Sequence, residues 1–256
     1  MINRSAVVLL GASNLARGFA AAVAVSGRVR PHQILIAAGR GRAYSRASAL
    51  LVRGLPSISD CGLWRQLDRL RNESSANENI DVRALVTDLG NDLVYGASVD
   101  ETMHAVADCV SRLRRVGASV VVTPPPLSSL ERFPIVWLDT VRRSFFPGSA
   151  LSASVILERV YGLDEALRGL ANELDLTLVE QRPDWYGLDP IHHRHSRQVA
   201  AFSTMTESWG GEPRRAGLNL RRRLALAWPE ESWLCGRSVR RAQPSARLGG
   251  CELMLY

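Results

Sequence analysis

A chain of 256 residues, 46% of them apolar, can bury a large core and fits one ample α/β domain better than two small ones. Its formal charge is +7, but residues 212–256 hold nine arginines against four glutamates and so carry +5, leaving +2 for residues 1–211. All 32 basic residues are arginine, which excludes every mechanism that needs lysine: P-loop phosphate binding, Schiff-base catalysis and a lysine-activated serine.

The expected organisation is therefore a main domain over 1–211 and an arginine-rich extension over 212–256, packed on it or trailing from it. The extension's arginines are interleaved with Leu, Trp and Pro. That pattern favours a partly packed segment over a nucleic-acid-binding tail, and Cys251 to Tyr256 reads as an added edge strand. Four scattered cysteines with no Cys-x-x-Cys pair offer neither a disulfide framework nor a zinc ribbon. No stretch approaches the roughly 18 to 20 apolar residues that span a bilayer, and the short apolar run at the N-terminus lacks the features of a signal peptide. The expectation is a cytoplasmic protein.

Along the chain, short apolar runs alternate with longer amphipathic segments, the pattern of a parallel sheet covered on both faces by helices. The first strand runs from Ala6 to Leu10, followed by a helix from Leu15 to about Val25. A second strand, Gln33 to Ala38, ends in Gly39-Arg40-Gly41. A helix over Leu63 to Leu70 and a polar stretch lead to a third strand, Arg83 to Thr87, and the turn Gly90-Asn91-Asp92. A helix over Val99 to Val116 precedes a fourth strand, Ser119 to Thr123. Three prolines, Pro124 to Pro126, open an irregular or helical excursion to about Ser149. Helical periodicity returns over Ala153 to Tyr161 and Leu163 to Leu174, before a fifth strand, Leu176 to Val179. A polar, aromatic loop over Glu180 to His195 precedes a closing helix, Arg197 to Trp209. The fold class is a three-layer α/β/α sandwich around a parallel sheet of about five strands, of the flavodoxin-like type.

In such sheets the carboxyl ends of all strands share one edge, where sites form. Ser13 follows strand one, Gly39 and Gly41 follow strand two, Asn91 follows strand three, and Asp189 and His192 follow strand five. A serine is a usable nucleophile only when a histidine takes its proton, and the histidine needs a partner that fixes its tautomer. Ser13, His192 and Asp189 supply those three roles, and the three-residue spacing lets one loop carry acid and base. Each also has an ordinary explanation: Ser13 as a helix N-cap, Gly39 and Gly41 as turn glycines, Asn91 as an Asx turn, Asp189-Pro190 as a turn signal. Their joint placement favours catalysis.

Four blocks together resemble the SGNH or GDSL hydrolase superfamily: Gly11-Ala12-Ser13-Asn14, Gly39-Arg40-Gly41, Gly90-Asn91-Asp92 and Asp189-Pro190-Ile191-His192. The resemblance spans about residues 6 to 205. It implies a serine esterase or deacylase acting on a small-molecule ester through an acyl-enzyme. The catalytic residues would be Ser13, Asp189 and His192, and the oxyanion donors the backbone N–H groups of Ser13 and Gly41, with Gly39 in reserve, and the side-chain amide of Asn91. Ala12 and Leu89 replace the family's usual aspartate and glycine. No cofactor is implied. His193 and His195 crowd His192, but three imidazoles in one segment rarely converge on one ion, and no metal is expected.

Arg40 and Arg42 read as solvated surface charges, or as a preference for a carboxylate or phosphate on the substrate. Trp185 and Tyr186 read as packing under the loop or as an acyl or sugar contact. Two other functions have partial support in the sequence. A nucleotide-binding oxidoreductase is disfavoured because Leu15 and Arg17 stand where a pyrophosphate needs glycine and Tyr-x-x-x-Lys cannot occur. An inactive binding protein would use the basic extension for an anionic partner.

Overall fold

The computed structural model describes residues 5–50, 52–74, 80–213 and 229–256. Eleven strands are assigned among these residues, in two sheets.

The central sheet is built on β1 (Ser5–Leu10), β2 (Gln33–Ala37), β5 (Asp81–Val86), β6 (Ser119–Val122) and β7 (Thr177–Leu178), all parallel, in the order β2-β1-β5-β6-β7. These are the five strands expected from the apolar runs. β1 is buried at all six positions, as a central parallel strand covered on both faces must be. Its side chains alternate between two cores. Ala6, Val8 and Leu10 pack with α3 (Leu63–Ser74), α5 (Val99–Arg115) and α8 (Ala153–Glu173). Val7 and Leu9 face α1 (Ser13–Arg17), α2 (Phe19–Ser26) and α9 (Gln198–Met205). This is the period-two geometry of a strand dividing a three-layer sandwich.

The sheet has seven strands rather than about five. β11 (Cys251–Leu255) pairs in parallel with β2, with Leu253 opposite Ile34 and Leu255 opposite Ile36, and β10 (Ala246–Leu248) closes the edge as its antiparallel partner. The segment read as an added edge strand is thus one strand in from the edge. The part of the 212–256 extension that includes it contributes to the main core, where Leu253 is wholly buried. Its residues 214–228 lie outside the described residues.

A second sheet had no counterpart in the sequence reading. It joins β3 (Ser48–Leu50), β4 (Arg53–Leu55), β8 (Glu231–Leu234) and β9 (Arg237–Arg240) in antiparallel order. Each strand is only three or four residues long and mixes polar with apolar side chains, so none carries a strong alternation signal.

The helices follow their sequence signals with local changes. The expected helix after β1 breaks at Gly18 into α1 and α2, where a β-carbon would come within 2.4 Å of the Phe202 ring. α5 begins in a capping box, with Ser98 accepting from the Glu101 N–H and Glu101 accepting from the Ser98 N–H. The two segments expected around Gly162 join into one helix, α8. The excursion after Pro126 holds α6 (Leu127–Leu130) and α7 (Ile135–Phe145). Among the described residues no helix is long and apolar enough to cross a membrane.

Candidate active site

The strand order steps left from β1 to β2 and right from β1 to β5, so a crevice opens at the carboxyl end of β1. Ser13 stands there, partly exposed, as the first residue of α1. Backbone bonds from Gly11 N–H to the Ala37 carbonyl (3.0 Å) and from Thr87 N–H to the Leu10 carbonyl (2.9 Å) tie this strand end to both neighbours. Asp88 then caps the serine helix from outside: its Oδ2 accepts from the Ala12 N–H at 2.9 Å and the Leu15 N–H at 3.0 Å. Asp88 holds φ at +58°, in the left-handed region, a conformation that aspartate tolerates better than most residues. A carboxylate therefore supports the serine turn although position 12 is alanine.

The second component is the loop after β7. His192 Nδ1 lies 2.7 Å from Asp189 Oδ2, while Asp189 Oδ1 accepts the backbone N–H groups of Ile191 (3.1 Å) and His192 (3.2 Å). Burial alone would raise the Asp189 carboxyl. The hydrogen bond and charge of His192, with the two backbone N–H groups, outweigh it and hold the carboxyl below its ordinary value. The His192 ring is buried against the edge of Phe145, centroid to centroid 4.9 Å.

Asn14 joins the two components. Its side-chain N–H donates to the Ile191 carbonyl at 2.9 Å and its Oδ1 accepts the His193 N–H at 2.8 Å. The residue after the serine is thus clamped to the residues on either side of His192. Asn14 stands in the first of the four sequence blocks, but a tertiary contact across 177 to 179 positions leaves no local pattern that would assign it this role.

The glycine and asparagine blocks meet behind the crevice. Asp92, wholly buried, accepts from the Tyr44 N–H, the Ser45 N–H and the Ser45 hydroxyl. The Tyr95 hydroxyl donates to the Gly41 carbonyl at 2.8 Å, and the Asn91 amide donates one N–H to the Arg42 carbonyl at 2.8 Å. Gly41 has φ +69°, a conformation that favours glycine.

Ser13 and Asn91 line one cavity of about 130 Å³. Most of its remaining wall is apolar and comes from the region between β6 and β7, including Leu130, Leu138, Phe146, Ile156 and Val160; Asp88 and Arg142 are its charged members. Pro190 and Ile191 reach it from the histidine loop. Neither Gly39 nor Gly41 forms part of its wall.

Several expectations change. Arg42 is neither solvated nor free to meet a substrate: it is fully buried and donates to the carbonyls of Pro56 (3.1 Å) and Tyr256. Burial lowers its guanidinium, with Cys61 and Tyr44 opposing. Trp185 and Tyr186 are 2% and 1% exposed and pack around His193, so they are packing residues rather than substrate contacts. Burial pushes the His193 imidazole down to about 4; Asp88 opposes this, while His192 and Arg17 add to it. Among the described residues no group of three or more His, Cys, Asp or Glu could hold a metal ion.

No protein-family model and no curated protein matches the chain. Its fold is similar to solved structures at low identity. The psychrotrophic esterase EstA from Pseudoalteromonas sp. is 12% identical, with 79% of this chain and 96% of that one covered at a TM-score of 0.43. A GDSL-like lipase from Bacteroides thetaiotaomicron is 12% identical, with 79% and 86% covered at 0.45. The SGNH-hydrolase family esterase AlinE4 is 15% identical, with 82% and 96% covered at 0.39. At this distance the chain's own residues have to carry the functional reading.

Proposed function

We propose that the protein is a serine hydrolase of the SGNH type that cleaves esters with an aliphatic acyl group. The observation that carries this reading is the clamp of Asn14, next to Ser13, onto the loop in which Asp189 holds His192. Ser13 Oγ is the nucleophile, His192 the general base and Asp189 the group that orients the imidazole and stabilises its positive charge. Attack forms the Oγ–acyl bond and breaks the bond to the leaving oxygen, which receives the serine proton through His192. Water, deprotonated by His192, then releases the acid and restores Ser13.

The tetrahedral oxyanion takes hydrogen bonds from the Ser13 N–H at the helix start and from the second N–H of Asn91, the first being held by the Arg42 carbonyl; the Gly41 N–H, the third donor expected from the sequence, is not assigned this role because Gly41 lies outside the cavity wall. The apolar wall beyond Ser13 receives the acyl chain. Ser13→Ala is expected to lower hydrolysis of p-nitrophenyl esters at least about 10³-fold and to abolish labelling by a fluorophosphonate. An unchanged rate refutes the assignment. Asn91→Ala is expected to cost about 10²- to 10³-fold in kcat.

A further inference from the structure

A second pocket, of about 490 Å³, lies on the other side of the β1 carboxyl end, walled by the ends of β2 and β11 and by α1 and α2. Among the described residues that line it, three are arginine, Arg17, Arg40 and Arg53, and none is Asp or Glu. Two stand close in sequence to residues of the site. Arg17 stands four residues after Ser13, about 6 Å along α1, and Arg40 immediately precedes Gly41. Among the described residues neither Arg17 nor Arg40 has a carboxylate partner. Behind the wall lies a fourth cation: a β-carbon added at Gly39 would come within 3.5 Å of the Arg42 side chain, whose Nη2 is buried without a hydrogen-bond partner. Burial, then the charges of Arg241 and Arg42, lower the Arg53 guanidinium.

Guanidinium groups gathered around one cavity repel one another, most of all where, as at Arg17 and Arg40, no carboxylate among the described residues meets them, and an anion with several oxygens relieves that repulsion through bidentate hydrogen bonds. The apolar cavity opens toward the ends of β5, β6 and β7, and the arginine pocket toward the ends of β2 and β11. Ser13 lines the first, and Ala16 and Arg17, a turn further on, line the second. An ester carbonyl at Ser13 with its acyl chain in the apolar cavity therefore directs its leaving group to the arginines.

We propose that the arginine pocket binds an anionic group, phosphate or carboxylate, on the alcohol portion of the substrate. This rests on the serine hydrolase reading, and it makes the substrate an amphiphile with an apolar acyl chain on one side of Ser13 and a negative charge on the other.

Matched octanoyl esters of ethylene glycol, glycolic acid and 2-hydroxyethyl phosphate separate neutral, carboxylate and phosphate leaving groups. The wild type is expected to favour at least one anionic ester over the neutral one. Arg17→Ala, Arg40→Ala and Arg53→Ala are each expected to reduce the anionic-to-neutral ratio of kcat/KM by about fivefold, through KM. Arg115→Ala, at the far end of α5, controls for net charge and leaves the ratio unaltered. A ratio that is the same in the wild type and in all three pocket variants overturns the proposal.

A binding measurement keeps this test apart from that of the catalytic serine. Inorganic phosphate is expected to raise the Tm of the wild-type and Ser13→Ala proteins alike, beyond chloride at equal ionic strength, and to lose that effect in the Arg17→Ala/Arg40→Ala variant. Equal shifts with phosphate and chloride overturn the pocket's affinity for anions. A phosphate shift with no change in the ester ratio overturns its assignment to the leaving group.

Discussion

Asn14 is the residue through which the two halves of the site hold each other. Its amide spends both polar atoms on the histidine loop, one on the Ile191 carbonyl and one on the His193 N–H. In the proposed mechanism it is a positioning residue, since it touches no reacting atom. Asn14→Ala is expected to lower kcat by up to about 10²-fold with little change in KM and to slow fluorophosphonate labelling of Ser13 in parallel. Asn14→Asp, which keeps the acceptor for His193 and loses the donor to Ile191, is expected to fall between. A Tm loss with unchanged labelling would reduce Asn14 to a purely structural residue.

His193 has a different consequence. Its folded value of about 4 lies below that of the unfolded chain, near 6.5, so the unfolded state gains the proton first. The stability from keeping His193 neutral is complete above about pH 6.5 and is lost as the pH falls toward 4, by up to roughly 3 kcal/mol. Thermal melts of the wild type and His193→Gln across that window check this: the variant's Tm is expected to fall less steeply on acidification.

At the scale of elements, the region between β6 and β7 builds most of the cavity wall that faces Ser13 and Asn91. α7 supplies Leu138, and α8 supplies Ile156 and Val160. Val160→Trp fills that space from within the 21-residue helix α8. It is expected to shift the preferred p-nitrophenyl ester toward shorter acyl chains and leave acetate hydrolysis the less affected. An unaltered chain-length profile would place the acyl chain elsewhere.

β11 carries a comparable burden for stability. Leu253 is wholly buried and Met254, Leu255 and Tyr256 are nearly so. Removal of residues 251–256 would expose those contacts and the open edge of β2. The expected cost is about 5 kcal/mol or more, seen as a collapsed Tm or as insoluble protein.

At the scale of the whole molecule, the parallel core was legible because β1, β2 and β6 are Val-, Leu-, Ile- and Ala-rich runs and β5 ends in one, Ala84 to Val86, with helical segments between them. Once the strand order was plausible, the carboxyl edge followed, and with it the neighbourhood of Ser13, Asn91, Asp189 and His192. What stayed hidden depends on partners distant in sequence. β3 and β4 have little pattern of their own, and the partner of β4 beyond β3 is β8, about 180 residues later, with Arg53 opposite Leu234. Asp88 reads as an ordinary turn residue until its carboxylate is seen to cap α1. Arg42 looks like a surface charge until the backbone carbonyls around it are located. Periodicity reports which face of an element is buried; it carries no information on which buried polar group answers which.

The pairing of β2 with β11 also sets an order of events during synthesis. Gln33 and Glu252, joined across these strands, lie 219 residues apart. β2 and the site-bearing strands therefore leave the ribosome long before the strand that covers their flank. At roughly 5 to 20 residues per second, the exposed edge would persist for about ten seconds or more. Over that interval the nascent chain would present a row of unpaired backbone groups to its surroundings, and final closure of the sheet would wait for synthesis of residues 251–255.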